Sequence, residues 1–456
     1  MELTIGTTSP PTPAHAGPVL GVERIAAMDV LRGVAVLGIL LMNITGFAWP
    51  FAASFNPTVG GGTTGLNLWV WGVNTVLFEG KMRAIFSMLF GAGMLVLTSR
   101  LEQRGLAAES ADVYYRRLLW LLAFGLLHAY FIWWGDILFF YAVLGLFLYP
   151  LRRLSARTLM VAGLALLLIG AGRGLWSAMD LRWAQQAGRA AEAAAASGQT
   201  LTDEQKRALT AWNEQRQRGG GPPAEELTRE TAAYRGTYPD TLFWRVGFLS
   251  SEQPQWLYSY FVFDIGGVML LGIGLLKLRF LDAGLPLRTY IAIAVVGYGV
   301  GIPIAAVAVS HDIRSGFDST TMALGSVLHA VARLPVAFGH IAVVMVVWKA
   351  GVLRWLTQPL AAVGQTAFSC YIAQSLICTT LFYGYGFGLF ARLERYQQML
   401  VVLAVWLVLL IVSPLWLRRF RFGPLEWLWR SLTYLERQPM RLRQRDAALP
   451  TPAAVS

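Results

Sequence analysis

Leu118–Pro150 reads LLWLLAFGLLHAYFIWWGDILFFYAVLGLFLYP, and this stretch decides the fold. Two apolar runs meet at Trp134-Gly135-Asp136, the pattern of a membrane helical hairpin with a tight connection. Trp133 and Trp134 are expected at the bilayer interface, where amphipathic rings prefer to sit. His128 lies about two turns before the break and Asp136 immediately after it. An ionisable side chain is costly in hydrocarbon, so both are candidate functional residues. The plainer alternative is a His–Asp pair that only staples two helices together.

Working outward, the whole chain has the same character. Its 456 residues are 55% hydrophobic and 14% charged, with a mean hydropathy of +0.50. A soluble domain carries about 25% charged residues, so the composition predicts an all-α polytopic membrane protein whose surroundings are the lipid bilayer. The net charge of +12 is not a nucleic-acid footprint, because the basic residues fall between apolar spans. Cys370 and Cys378 have neither disulfide-framework nor zinc spacing, and no metal site is expected.

Apolar runs long enough to cross about 30 Å fall near 26–48, 82–99, 114–133, 136–151, 157–176, 256–277, 287–309, 321–348, 358–379 and 398–417, about ten spans. Leu66–Phe78 is shorter and suits an interfacial or re-entrant lead-in. Lys and Arg number 21 in the loops on the N-terminal side against 5 in the short loops opposite, which predicts cytoplasmic N- and C-termini. The expected organisation is a disordered tail (1–23), an N-terminal bundle (24–176), an extracytoplasmic loop or cap (177–255), a C-terminal bundle (256–434) and a basic cytoplasmic tail (435–456). The tail 1–23 has no basic n-region and no cleavage site, so no signal peptide is read there. Within the cap, an Ala-rich stretch and LTDEQKRALTAWNEQRQR read as helices, the second capped by Thr202, and GGGPP at 219–223 is a break. LFGAG at 89–93 reads as small residues that let helices approach, not as a phosphate loop.

Polar groups inside the spans sort into two sets by depth. The inner set is Asp29 and Arg32, at i,i+3 on one helix face. They are either an orientation-setting ion pair or, with Gly33 leaving room, a site where Arg32 meets an anionic group from the cytoplasm. The outer set is His128, Asp136, Asn43, Asp264, His329, Arg333 and His340. His128, Asp264 and His329 come out at a common depth of roughly 9–12 Å at 1.5 Å per residue, which is most economical if they face one cavity. Gln365, Thr366, Ser369, Tyr371, Gln374 and Ser375 make the ninth span too polar to face lipid. These residues line the same interior or hydrogen-bond between helices.

Several stretches together resemble the YeiB-like family of bacterial inner-membrane proteins. They are RIAAMDVLRGVAVLGILLMNI (24–44), GKMRAIFSMLFGAGM (80–94), GLLHAYFIWWGDILFFYAVLG (125–145), VGQTAFSCYIAQS (363–375), FYGYGFGLF (382–390) and GPLEWLWRSLTY (423–434). The resemblance implies a multi-pass protein of the bacterial inner membrane. Through the MDVLRG opening it is similar, more distantly, to the transmembrane acyltransferase superfamily, which includes heparan-alpha-glucosaminide N-acetyltransferase and the polysaccharide acyltransferases. Those enzymes move an acyl group from cytoplasmic acyl-CoA to an acceptor on the far side with an intramembrane histidine. The polysaccharide enzymes carry that histidine where this chain has Asn43, so the base here would be His128 or His329. Asp136 or Asp264 would orient it, and Arg32 would hold the CoA phosphates.

The sequence therefore points to a membrane acyltransferase. His128, Asp136 and His329 are its candidate catalytic residues, and Asp29, Arg32, Asn43, Asp264, Arg333 and Gln365 its candidate substrate-binding residues. Acyl-CoA would be a co-substrate with no tightly bound cofactor, the acceptor a small molecule, glycan or lipid, and a homodimer is compatible with the chain. The alternative is a proton-coupled transporter or flippase of an anionic or lipid-like metabolite, against which the lack of an internal repeat counts. A non-catalytic sensor or scaffold is the third class.

Overall fold

The computed structural model describes residues 25–217 and 223–442. The tail 1–23, Arg24, most of the 219–223 break and the chain beyond 442 lie outside the described residues. Among the described residues the protein is all-helical, and seven helices are long and apolar enough to cross a membrane, or eight if one bent pair counts as a span. It is a multi-pass membrane bundle.

The central helix is α1 (Ala26–Ala48), 72% of whose apolar window is buried. It packs against α3 (Lys81–Gln103), α13 (Arg354–Gln365), α14 (Ala367–Phe382) and α15 (Arg395–Leu417). The peripheral helices α6 (Ala156–Ala196) and α11 (Leu287–Arg314) are 11% and 22% buried over theirs, as expected of lipid-facing helices. Glycines set how close the central helices come. A Cβ added at Gly33 would overlap the Leu360 carbonyl of α13, and one at Gly364 would overlap the Asp29 carbonyl. Gly33 therefore leaves room for a helix backbone, not for a ligand. Gly91 in the LFGAG stretch lies in the same way against the Met269 carbonyl of α10 (Val262–Lys277), the close approach anticipated for it.

The Leu118–Pro150 hairpin is lopsided. Its first arm, α4 (Ser110–Phe131), is 22 residues long, although Arg116, Arg117 and His128 make it less apolar than the other spans. Its second arm is only α5 (Leu138–Gly145), eight residues or about 12 Å, followed by a 3-10 turn at Tyr149–Arg153 that begins next to Pro150. The 136–151 run is thus not one continuous helix. Trp133 and Trp134 are also not at a lipid interface. Both are buried, and Trp133 stacks on Phe47 at 3.9 Å and donates to the Gly46 carbonyl.

The span expected at 157–176 continues without a break to Ala196. The Ala-rich stretch is a strong helix former, and nothing stops it before Gly198, which adopts a left-handed φ of 77°. α6 returns through α7 (Asp203–Gln217), whose first turn is closed by the Thr202–Gln205 capping box. Next come α8 (Ala224–Arg235) and α9 (Tyr238–Trp256). α9 runs through a π turn at Leu257–Phe261, just past Pro254, directly into α10. Likewise α2 (Gly65–Leu77) is no separate surface helix: it forms one long run with α3 across the left-handed Gly80. α12 (Ser319–Ala350) pairs with α11, and α16 (Pro424–Tyr434) is the last helix of the described residues.

The segment after α1 is stitched to the cap. Phe51 donates its amide to Glu230 of α8 at 2.9 Å, Trp49 donates to the Leu393 carbonyl, and Ala391 donates to the Ala48 carbonyl. Burial in this junction pushes the Glu230 carboxyl up to about 7 against the opposing pull of the Phe51 amide. That folded value lies above the ordinary 4.5. The junction is therefore at full strength below 4.5 and weakens as pH rises through about 7.

Two outcomes are expected. Purified protein should unfold at a lower temperature at pH 8 than at pH 6, and Glu230→Gln should remove that component of the difference. Gly364→Val should cost at least the roughly 3 kcal/mol seen at the upper end of core overpacking, because backbone rather than a flexible side chain blocks it. Its thermal midpoint in detergent checks this.

Candidate functional site

The site begins at a helix break. α13 and α14 meet at 87° around Thr366, so the first amides of α14 have no partners within their own helix. Glu426 of α16 takes them: its carboxylate accepts from Phe368 N at 2.7 Å, from Ser369 N at 3.1 Å and from the Ser369 hydroxyl. A carboxylate at the positive end of a helix is favourable on both hydrogen-bond and dipole grounds. α16 itself starts with Pro424 at its first position, which fixes where Glu426 projects.

The break opens a cavity of about 270 Å³ between α1, α3, α4, α5, α14 and α16. At one end it is lined by Asp29, Arg32, Arg100, Arg117, Arg430 and Glu426, four guanidinium groups against two carboxylates. Arg32 and Asp29 are ion-paired at 2.8 Å, Arg117 lies over the Trp429 ring at 3.7 Å, and Glu426 is held by the α14 amides. Gln365 lines this end too. The walls then become apolar, with Phe86, Leu89, Phe90, Leu118, Leu121 and Leu138. From Arg100 to Phe86 on α3 the cavity follows about 21 Å of helix at 1.5 Å per residue. At its far end stand Ile137, Tyr141 and Tyr371.

Directly behind Tyr371 is a buried hydrogen-bonded chain. Asp136 Oδ1 lies 2.8 Å from His128 Nδ1, and His128 Nε2 lies 2.9 Å from Ser375 Oγ. All three residues are buried, and the His128 and Tyr371 rings are 5.1 Å apart. Asp136 is anchored by its other oxygen, Oδ2, which accepts from Phe139 N at 2.7 Å at the start of α5. With the carboxylate as acceptor, Nδ1 carries the proton, and Nε2 is left with a lone pair toward the serine hydroxyl. Gly125 makes this geometry possible, since a Cβ there would overlap the Phe139 backbone and force α4 away from α5.

The other sequence candidates lie elsewhere. Asp264 is ion-paired with two arginines, Arg83 at 3.0 Å and Arg333, and Arg83 also donates to Tyr260. His329 is paired with Asp312 of α11 at 3.6 Å. His340 sits between the Tyr298 hydroxyl and the Leu77 carbonyl, each at 2.7 Å. Asn43 is partly buried on α1, about one turn beyond the cavity lining at Ile39. The structure therefore brings together His128 with Asp136, and Asp29 with Arg32 and Gln365. It does not bring His128, Asp264 and His329 to one cavity. A shared depth says nothing about direction around the bundle, and each acid is met by its nearest cation.

The profile of a family described as "Protein of unknown function (DUF418)" matches residues 275–436. The uncharacterised protein YxaH of Bacillus subtilis (strain 168) is 29% identical over 435 residues, 93% of this chain and 97% of the relative. The uncharacterised protein YeiB of Escherichia coli (strain K12) is 30% identical over 415 residues, 90% of this chain and 96% of the relative. The chain belongs to the YeiB-like family. No solved structure matches it. The family match takes in Gln365, Ser375 and Glu426, whereas Asp29, Arg32, His128 and Asp136 lie outside residues 275–436.

Sequence reasoning named Ser375 only as one polar residue of a polar span and did not single out Glu426, Arg117 or Arg83. A usable signal was present for Ser375: Tyr371 and Ser375 are spaced i,i+4, so one helix face carries both. Glu426 carried none, since an acidic residue in an aromatic-rich amphipathic helix reads as solvated. Glu426→Gln keeps the acceptor and removes the charge. It should lower stability by about 1 kcal/mol, read as a fall in thermal midpoint.

Proposed function

We propose that this chain is a membrane acyltransferase. An anionic, amphipathic acyl donor of the acyl-CoA class enters the cavity at its arginine-lined end, and His128, oriented by Asp136, serves as the base for transfer to an acceptor. The observation that carries this reading is the cavity itself. Its excess of guanidinium charge suits phosphates, its apolar walls suit an acyl chain, and its far end lies one aromatic ring from His128. A neutral imidazole with a carboxylate behind it is the arrangement that accepts a proton from a nucleophile and then stabilises the imidazolium. His329, outside the cavity lining and paired with Asp312, has no part in this reading.

A second reading is transport of an anionic or lipid-like metabolite, and one observation favours it: the 87° break between α13 and α14 beside the cavity. Discontinuous helices at midplane sites are common in secondary transporters. Here the exposed N-terminus of α14 is occupied by Glu426 instead of being open to a substrate anion, which weighs toward transfer.

Acyl-CoA binding to detergent-purified protein tests the choice. Wild type should show a saturable thermal shift with an acyl-CoA, and Arg32→Ala should weaken it about 10- to 100-fold, the range for losing a charge-assisted contact. His128→Ala should keep donor binding and lower transfer by about 10²–10⁴-fold. No shift with any acyl-CoA, together with substrate uptake into proteoliposomes, would replace this reading with transport.

A further inference from the structure

Resting on the acyl-transfer reading, we propose that Ser375 is the nucleophile and carries the acyl group as an ester between donor and acceptor. The reason is which proton His128 can take. Its Nδ1 is engaged by Asp136 and its Nε2 points at Ser375 Oγ, 2.9 Å away. Both ring nitrogens are therefore committed, and the proton within reach of Nε2 is that of the serine. A base serving an acceptor directly would present Nε2 to open space. This one presents it to a side-chain hydroxyl in a site where His128 and Ser375 are each 1% exposed. Asp, His and Ser in this order, with a fixed acid and a buried hydroxyl, form the nucleophile-activating constellation that recurs on unrelated folds and is recognised by geometry, not by chain order.

Position along α14 supports the same role. Tyr371, which ends the cavity, and Ser375 share one helix face a turn apart, so the nucleophile is the next group beyond the cavity's end. The Tyr371 ring is the only lining side chain that also contacts the His128 ring among the aromatic pairs of the described residues. Its hydroxyl lies 3.5 Å from the Gly135 carbonyl and also takes a hydrogen bond from the Ile137 backbone. That ring separates the cavity from Ser375, so it must be displaced for a donor carbonyl to reach the serine.

The two steps balance. In the first, Ser375 Oγ attacks the thioester carbonyl carbon while its proton passes to His128 Nε2. The C–S bond then breaks, and the leaving thiolate takes that proton as a free thiol. In the second, the acceptor's hydroxyl or amine gives its proton to Nε2 and attacks the serine ester. The C–Oγ bond breaks, and the proton returns to Ser375. No oxidant or reductant is needed. Asp136 touches neither substrate and is a positioning residue that holds the Nδ1–H tautomer. Burial of the ester keeps water from competing with the acceptor.

The test uses detergent-purified full-length protein with acetyl-CoA and no acceptor, followed by intact-mass spectrometry and peptide mapping. A fluorophosphonate probe, which labels activated serines whatever the natural donor, is run in parallel. Wild type should gain one hydroxylamine-labile acetyl group on Ser375 and should react with the probe. Ser375→Ala should lose both, and Ser375→Cys should recover the acetyl adduct as a thioester, which guards against a simple folding defect. His128→Ala should acylate about 10²–10⁴-fold more slowly. Asp136→Asn should lower kcat at unchanged KM for the donor and alter the pH profile. Turnover of acetyl-CoA retained in Ser375→Ala, with no adduct on wild type, would overturn the serine's role while leaving acyl transfer intact. Probe labelling of Ser375 without acylation by any acyl-CoA would keep the nucleophile and reject the donor. Neither labelling nor adduct would reduce the chain of hydrogen bonds to a structural staple.

Discussion

Everything around the cavity depends on how the amino end of α14 is satisfied. A helix that starts inside a bundle exposes amides that water cannot reach, and each would cost a full desolvation penalty if left alone. Glu426 removes that cost by reaching in from α16. Because those amides are met from the side, α14 need not continue α13 and can leave it at 87°. That turn creates the space between α1, α3, α4 and α16, and it carries Tyr371 and Ser375 to His128. The α1–α13 contact at Gly33 and Gly364 works with it: close backbone packing holds α13 flat against the central helix while α14 diverges.

The same rule, that a charge inside the bundle must be met by another group, explains why the remaining ionisable residues do not converge. Asp264 is shared by Arg83 and Arg333, and Asp312 faces His329. Each cluster ties two or three helices together at a different point around the bundle. Asp136 and His128 differ from these in being neutralised largely by hydrogen bonds, with Phe139 N on one side and Ser375 on the other. Ion-paired clusters resist rearrangement because either charge alone is costly to leave buried. A hydrogen-bonded chain ending in a hydroxyl can pass a proton along its length without separating full charges at rest.

How much of this was legible in the sequence follows from what kind of force sets each feature. The membrane character and the long spans came from the sheer excess of apolar residues, a property summed over windows and insensitive to detail. The His128–Asp136 pair was readable because the two residues flank one tight connection. The Asp29–Arg32 pair was readable because i,i+3 spacing dictates it. Ser375 joins the chain from 247 residues away, and Glu426 caps a helix 58 residues before it. Such contacts depend on the azimuth of each helix, which the hydrophobic pattern of a fully buried span does not encode. The second arm of the hairpin failed for a related reason: an apolar run of the right length reads as a span, whereas Pro150 and the half-length α5 divide it.

The uninterrupted α6 has a consequence for how this protein meets its surroundings. At 1.5 Å per residue its 41 residues extend about 61 Å, roughly twice the hydrocarbon thickness. Its apolar stretch gives way to charge near Arg173, so the helix is longer than the hydrocarbon layer requires, and α7 folds back along it. A rigid rod anchored in the bilayer holds whatever touches its tip at a set height above the surface. Large polar molecules approaching that face would thus meet a fixed spacer before they meet the membrane.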